Sequence, residues 1–218
     1  MSSRNSDGVR PVPPSSCLLL REPRLRLVAA DAPAEVARLP IMAAVGVLFT
    51  VGHGTASPAD FEELLKSAGV TSLVDVRIGP GSRKHPHFGK DSMAAWLPEA
   101  GISYRWEQRL GGFRKLPPES PDTALRNDSF RAYAAYMRTR EFGAAAERLV
   151  EDAQDQPTAI MCSETLWWRC HRRLIADHCV LLAGLPVEHL MPRSRPTTHV
   201  PTQGVRVLGN SLRYDVTG

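Results

Sequence analysis

The chain has 218 residues, 43% of them hydrophobic, and a formal net charge of +4. That composition supplies a buried core and excludes wholesale disorder, and no apolar run approaches the roughly 18 residues of a membrane span. Four cysteines without close pairing exclude a disulfide framework, and a pI near 9.1 turns the question of nucleic-acid binding into one of where the charge lies.

The charge lies at the ends. Residues 1–41 hold six Arg against four acids, and residues 193–218 hold four Arg against one acid. Residues 42–192 hold 17 Lys and Arg against 18 acids, a balance of −1. The charge of the organised middle therefore does not support nucleic-acid binding. Residues 1–41 are rich in Ser, Arg and Pro, which keep any helix short. They are read as a disordered or non-native extension, with Met42 as an alternative start that leads straight into the first strand. Residues 193–218 are expected to be a loop-like tail.

From Val45 the pattern becomes regular. Val45–Val51 is a continuous apolar run with β-branched residues, as in a strand buried on both faces. Ser57 followed by Pro58 is a helix start, with Phe61, Leu64, Leu65 and Ala68 at helical spacing and Gly69 as the stop. Ser72–Val76 is a second strand, followed by a Gly-, Pro- and His-rich loop over 79–89. A helix is expected over Ser92–Ala100, a strand over Ile102–Trp106 and a turn at Leu110-Gly111-Gly112. Residues 113–129 are expected to be a loop, and Phe130–Met137 and Glu141–Ala153 two helices. Thr158–Met161 is a short buried strand, Ser163–Leu182 a long helix, and Val187–Leu190 a last strand. The alternation predicts one α/β domain over 42–192, with three layers and a mostly parallel, Rossmann-like sheet between disordered tails.

In open α/β sheets ligands bind beyond the carboxyl ends of the strands. This layout sends His53, Asp75, Arg77, Cys162 and Glu164 to one rim. Cys162 is expected at the junction of strand and helix, where the helix dipole favours a thiolate. The placement resembles that of rhodanese-like and phosphatase-like enzymes. Arg169, however, is seven residues on and within the predicted helix, so their loop signature is absent. Glu164 is an acid/base or a complement to the helix dipole. Asp75 is a base or the group that fixes Arg77. Arg77, Arg83, Arg114 and Arg172 are the candidate anion-binding cations, with His171 beside them. On the helical wheel His171 faces the sheet, and Arg169, Arg172 and Arg173 face away. Cys162 and Cys170, eight residues apart in a continuous helix, are separated by about 12 Å of rise. No metal ligand set and no cofactor is therefore assigned.

Thr50-Val-Gly-His53-Gly, Leu73-Val-Asp75-Val-Arg77, Ser82-Arg83, Pro86-His87-Phe88, Leu110-Gly-Gly-Phe-Arg114, Met161-Cys162-Ser163-Glu164 and Cys170-His171-Arg172 stand together. From about Phe49 to Leu190 the chain resembles the domain-of-unknown-function 488 family. The resemblance implies a compact α/β protein of the bacterial or archaeal cytoplasm and names no reaction. The first reading is an enzyme, a cysteine-dependent hydrolase or transferase acting on a small anionic substrate. Cys162 is its nucleophile and Glu164 or His53 its acid/base. The second is a module that binds a nucleotide or nucleic acid without chemistry, and the third a metal-binding protein. No membrane partner is expected.

Overall fold

The computed structural model of the protein describes residues 46–81 and 83–216. The 1–41 extension, the alternative start at Met42 and Ser82 lie outside the described residues.

The first strand, β1 (Leu48–Gly52), leads to α1 (Pro58–Ser67). The start of α1 is as read: the Ser57 side chain accepts the Asp60 amide and Pro58 opens the first turn. Then come β2 (Ser72–Asp75), a single 3-10 turn at Pro86–Phe88, α2 (Lys90–Glu99) and β3 (Ser103–Trp106). The other face is built by α3 (Asp128–Tyr136) and α4 (Arg140–Asp155), capped by Asn127 and Thr139. After β4 (Thr158–Cys162) the chain runs through α5 (Arg172–Ala183) to β5 (Val187–His189).

The sheet order is β3-β2-β4-β1-β5-β6, parallel except for β6 (Thr197–Thr198), which runs antiparallel to β5. Side chains alternate across it. Leu73, Val51, Ala159 and Met161 pack under α1 and α2 with Phe61, Leu65, Met93 and Leu97. Leu48, Val74, Val76 and Ile160 pack against α3, α4 and α5 with Tyr133, Phe142, Leu149 and Leu174. Both faces are covered, as the apolar strands require. No described helix is long and apolar enough to cross a membrane.

Two expectations are corrected. The predicted helix over 163–182 is not continuous: residues 163–166 are irregular, a 3-10 turn covers Trp167–Arg169, and α5 begins at Arg172. The reason is tertiary. The Arg172 guanidinium, fully buried rather than on the outer face, donates to the Glu164 carbonyl and holds the segment back over the end of β1. Gly52 makes room there, since a Cβ at that position would lie 1.9 Å from the Glu164 carbonyl oxygen.

The segment after 193 is also not simply loop. It carries β6 and a hairpin of β7 (Val205–Leu208) and β8 (Ser211–Tyr214), with Leu212 and Tyr214 in the core. A buried polar chain ties it down. Asp177 Oδ1 accepts from His199 Nε2 (2.9 Å), and His199 Nδ1 accepts from His189 Nε2 (2.9 Å). His189 Nδ1 then accepts from the Thr50 hydroxyl (2.7 Å), and the Tyr214 hydroxyl donates to Asp177 Oδ2 (3.0 Å). Asp177 only accepts, so with both rings uncharged each histidine carries its proton on Nε2, and every link of the chain then has one donor and one acceptor.

Candidate active site

Strand order decides the site. β4 lies between β2 and β1, so Cys162 at its end is flanked by Asp75 and Arg77 on one side and Gly52 and His53 on the other. Beyond these strand ends opens a cavity of about 530 Å³. Cys162, Cys170 and His171 line it together with His53, Arg77 and Glu164.

Asp75 is completely buried. Its Oδ1 accepts the Arg77 amide (3.1 Å) and Nε (2.8 Å), and its Oδ2 accepts Arg77 Nη2 (2.5 Å) and the Tyr104 hydroxyl (2.8 Å). With both oxygens engaged, Asp75 is the anchor of Arg77. Burial works against the Arg77 charge, but the Asp75 carboxylate outweighs it and holds the guanidinium protonated. Arg77 Nη2 also donates to the Phe88 carbonyl (2.8 Å), while Nη1 lies 3.4 Å from His53 Nε2. His53 is stacked on Phe88 with centroids 4.2 Å apart, and its Nδ1 donates to the Gly54 carbonyl (3.1 Å). Burial, then the Arg77 charge, lowers its pKa to about 4. At neutral pH His53 is thus an uncharged imidazole that accepts from Arg77.

The break between β4 and α5 has a chemical consequence. Cys162 does not sit at a helix N-terminus, so no helix dipole acts on it. The 12 Å separation of the cysteines does not hold either. Cys162 Sγ, Cys170 Sγ and a ring nitrogen of His171 all lie within 4.8 Å of one another. His171 Nδ1 is 3.6 Å from Cys170 Sγ, and Arg172 Nε donates to the same sulfur at 3.3 Å. The two thiols separate in acidity. The hydrogen bond donated by Cys162 and the charge of Arg172 bring Cys170 down to about 6 against its burial. Donation to that sulfur, then burial, pushes Cys162 up to about 12. The more acidic thiol is Cys170, which the sequence did not single out as reactive.

The remaining candidates divide. Glu164 is exposed and lines the cavity. Arg83 is exposed and does not line it. Arg114 is stacked on Tyr136 at 3.6 Å, and its donors close on the carbonyls of Gly111, Gln108 and Arg109. Arg172 is buried behind the thiols. The cation brought to the cavity in their place is Arg169, exposed on the 3-10 turn. The amino end of α3 borders the cavity through Asn127 and Ser129. Phe113 is 92% exposed on its lip and, with φ +56°, holds a backbone conformation that favours glycine. Phe113 and Arg169 left no periodic signal to be found by. A larger hollow of about 820 Å³ lies beyond His53, between Asp60, Glu63, Arg193 and Arg195, and no cysteine lines it.

A mostly parallel α/β sheet with a thiol–imidazole cluster at its carboxyl rim, under an arginine-bearing cavity, is the class that this geometry defines. Within that class the chain belongs to the family described as Domain of unknown function DUF488, whose model matches residues 57–179. The match takes in Asp75, Arg77, Cys162, Cys170 and His171, and stops short of the Thr50–His53 segment at one end and β5 at the other. Neither the curated proteins nor the solved structures gave a match.

Proposed function

We propose that the protein is an enzyme acting on a small anionic substrate, phosphate- or carboxylate-bearing, held in the rim cavity. The Cys162, Cys170 and His171 cluster is its reacting centre. One observation carries the reading: Arg77, Arg169 and the amino end of α3 border the same cavity that has the two thiols on its wall. A guanidinium fixed by a buried carboxylate is already oriented, so little entropy is lost when it binds a ligand oxygen. The amino end of α3 adds the positive pole of a helix dipole. Glu164 is the exposed acid/base group of the site, and neutral His53 keeps Arg77 directed at the ligand. A cytoplasmic setting belongs to the same reading, because Cys162, Cys170 and Cys179 are all free thiols.

The test is binding of phosphate- and carboxylate-bearing ligands to the folded chain by calorimetry. Arg169→Ala is expected to lower affinity about tenfold, the loss of one partly solvated charge-assisted hydrogen bond, with the melting temperature unchanged. Equal affinity of variant and parent would remove the anion site from this cavity.

A nucleotide is the anionic ligand favoured by one further observation, the exposed ring of Phe113 on the lip. A base stacked there while its phosphate meets Arg77 and Arg169 uses both halves of the site.

A further inference from the structure

Two thiols and an imidazole in one cluster have to be accounted for beyond their place on the cavity wall. The sulfurs of Cys162 and Cys170 and a ring nitrogen of His171 lie within 4.8 Å of one another. In a tetrahedral site with metal–sulfur bonds of about 2.3 Å and metal–nitrogen bonds of about 2.0–2.1 Å, neighbouring sulfur and nitrogen ligands stand about 3.6 Å apart. Cys170 Sγ and His171 Nδ1 are 3.6 Å apart.

The orientation of His171 is the second observation. Its Nε2 lies 3.0 Å from the Val76 carbonyl oxygen. A carbonyl only accepts, so Nε2 carries the proton and Nδ1 presents its lone pair to the sulfurs. A backbone carbonyl that fixes the tautomer from behind is the usual support of a metal-binding histidine. Gly112 packs against the same edge of the ring: a Cβ there would come within 3.2 Å of Nδ1.

The third observation is Arg172. Its side chain is completely buried, Nε donates to Cys170 Sγ at 3.3 Å, and Nη1 has no hydrogen-bond partner. A buried guanidinium against sulfur calls for negative charge on that sulfur.

We propose that Cys162, Cys170 and His171 form an open three-ligand site for a thiophilic divalent cation, with zinc as the reference ion and its fourth position facing the rim cavity. Two thiolates and one imidazole suit such an ion better than magnesium or calcium, which take oxygen ligands. The ion forms two metal–sulfur bonds and one metal–nitrogen bond, and the protons still on the two thiols leave to solvent. No oxidant or reductant takes part. All three ligands line the cavity, so the open position meets whatever the cavity holds. This last point rests on the anionic-substrate reading, whereas the three protein ligands do not.

The experiment is titration of reduced, metal-stripped full-length protein with cobalt(II), followed by competition with zinc. One equivalent of cobalt is expected to bind with thiolate-to-cobalt charge-transfer absorption, and zinc to displace it. Cys162→Ser and Cys170→Ser are each expected to weaken binding at least 100-fold, and Cys179→Ala, which changes a buried thiol outside the cluster, to leave it unchanged. Circular dichroism checks that the variants fold. Zinc protection of two thiols from alkylation in the unsubstituted protein gives the same answer should they not. Absence of the charge-transfer band with all thiols reduced would overturn the site. So would equal alkylation with and without zinc, or a Cys162–Cys170 disulfide that forms under zinc in place of a complex. Phosphate binding to the metal-stripped protein and its loss in Arg169→Ala are read separately, so failure of the metal site leaves the anion site standing, and the reverse.

Discussion

Replacing Phe113 separates a cost in the fold from a gain at the cavity. With φ +56° the residue occupies left-handed backbone, which costs a side-chain-bearing residue roughly 1–2 kcal/mol. Its ring is 92% exposed, so removing it forfeits almost no burial. Phe113→Gly relieves the backbone cost but adds freedom to the unfolded chain, worth about 0.4–1 kcal/mol in the other direction. The expected net stabilisation is about 0.5–1 kcal/mol, a rise in melting temperature of about 1–4 °C for a chain of this size. Phe113→Ala keeps the strained backbone and gains nothing, so the two variants should differ by about 1 kcal/mol in urea denaturation. Both lose the ring. Affinity for a nucleoside monophosphate should therefore fall by about 5- to 100-fold, the worth of one stacked base, while affinity for inorganic phosphate stays the same. Equal stability of the two variants would refute the strain, and unchanged nucleotide affinity in both would refute Phe113 as a ligand contact.

At Gly52, alanine has no room, because its Cβ would meet backbone 1.9 Å away. Gly52→Ala is expected to cost about 1–3 kcal/mol as overpacking does, and to expose Cys170 to alkylation as the 163–166 segment lifts. Acid stability follows from histidines that the fold holds uncharged: outside the cavity, burial lowers the pKa of the half-buried His178 to about 4 and that of the buried His189 to about 3, and His53 in the cavity is lowered to about 4 as well. Between those values and about 6.5 the unfolded chain takes up protons that the folded chain refuses. Stability is therefore full above about pH 6.5 and falls below it, by at most about 1.4 kcal/mol per pH unit for each histidine. Urea denaturation from pH 7 to 4.5 should show this slope, and His178→Gln should make it shallower; an unchanged slope would refute burial of His178 as its source. Arg172→Met keeps the buried volume and removes both donors that hold the Cys162–Cys170 loop. Cobalt affinity is expected to fall about 10- to 100-fold, as when a ligand's supporting partner is lost, with secondary structure unchanged.

Local chemistry made much of the fold legible. Ser57-Pro58 announced α1, and the β-branched run before Gly52 announced β1, because caps and apolar runs act through neighbours in sequence. The run from Ser163 to Leu182 misled for the opposite reason. Its apolar spacing fits a helix, and it holds no glycine or proline. What interrupts it is a long-range bond from Arg172 to the Glu164 carbonyl, together with the clearance at Gly52. The same holds after residue 193. β6 is two exposed threonines, and its partner β5 is reached only through the folded chain. His53, Asp75, Arg77, Cys162 and Glu164 were legible as rim residues because each follows a strand. Which of them touch depended on β4 lying between β2 and β1, and strand order leaves no trace in local pattern.

The break in the helix and the chemistry of the site have one origin. A helix from Ser163 would carry Cys170 and His171 about 12 Å up and away from the sheet. Folding the intervening residues into a loop and a 3-10 turn returns both to the end of β4, and it also turns Arg169 outward into the cavity. The segment gives up the regular bonding of a continuous helix, and one guanidinium nitrogen of Arg172 is left buried without a partner. A fold under selection for stability alone has no use for that arrangement, since a continuous helix satisfies its own backbone and needs no buried cation. The cost falls at the point where two thiols, an imidazole and an arginine meet an open cavity. Local rules of foldability give way most often at functional sites, and here the chain departs from its own sequence pattern at the residues that line the cavity.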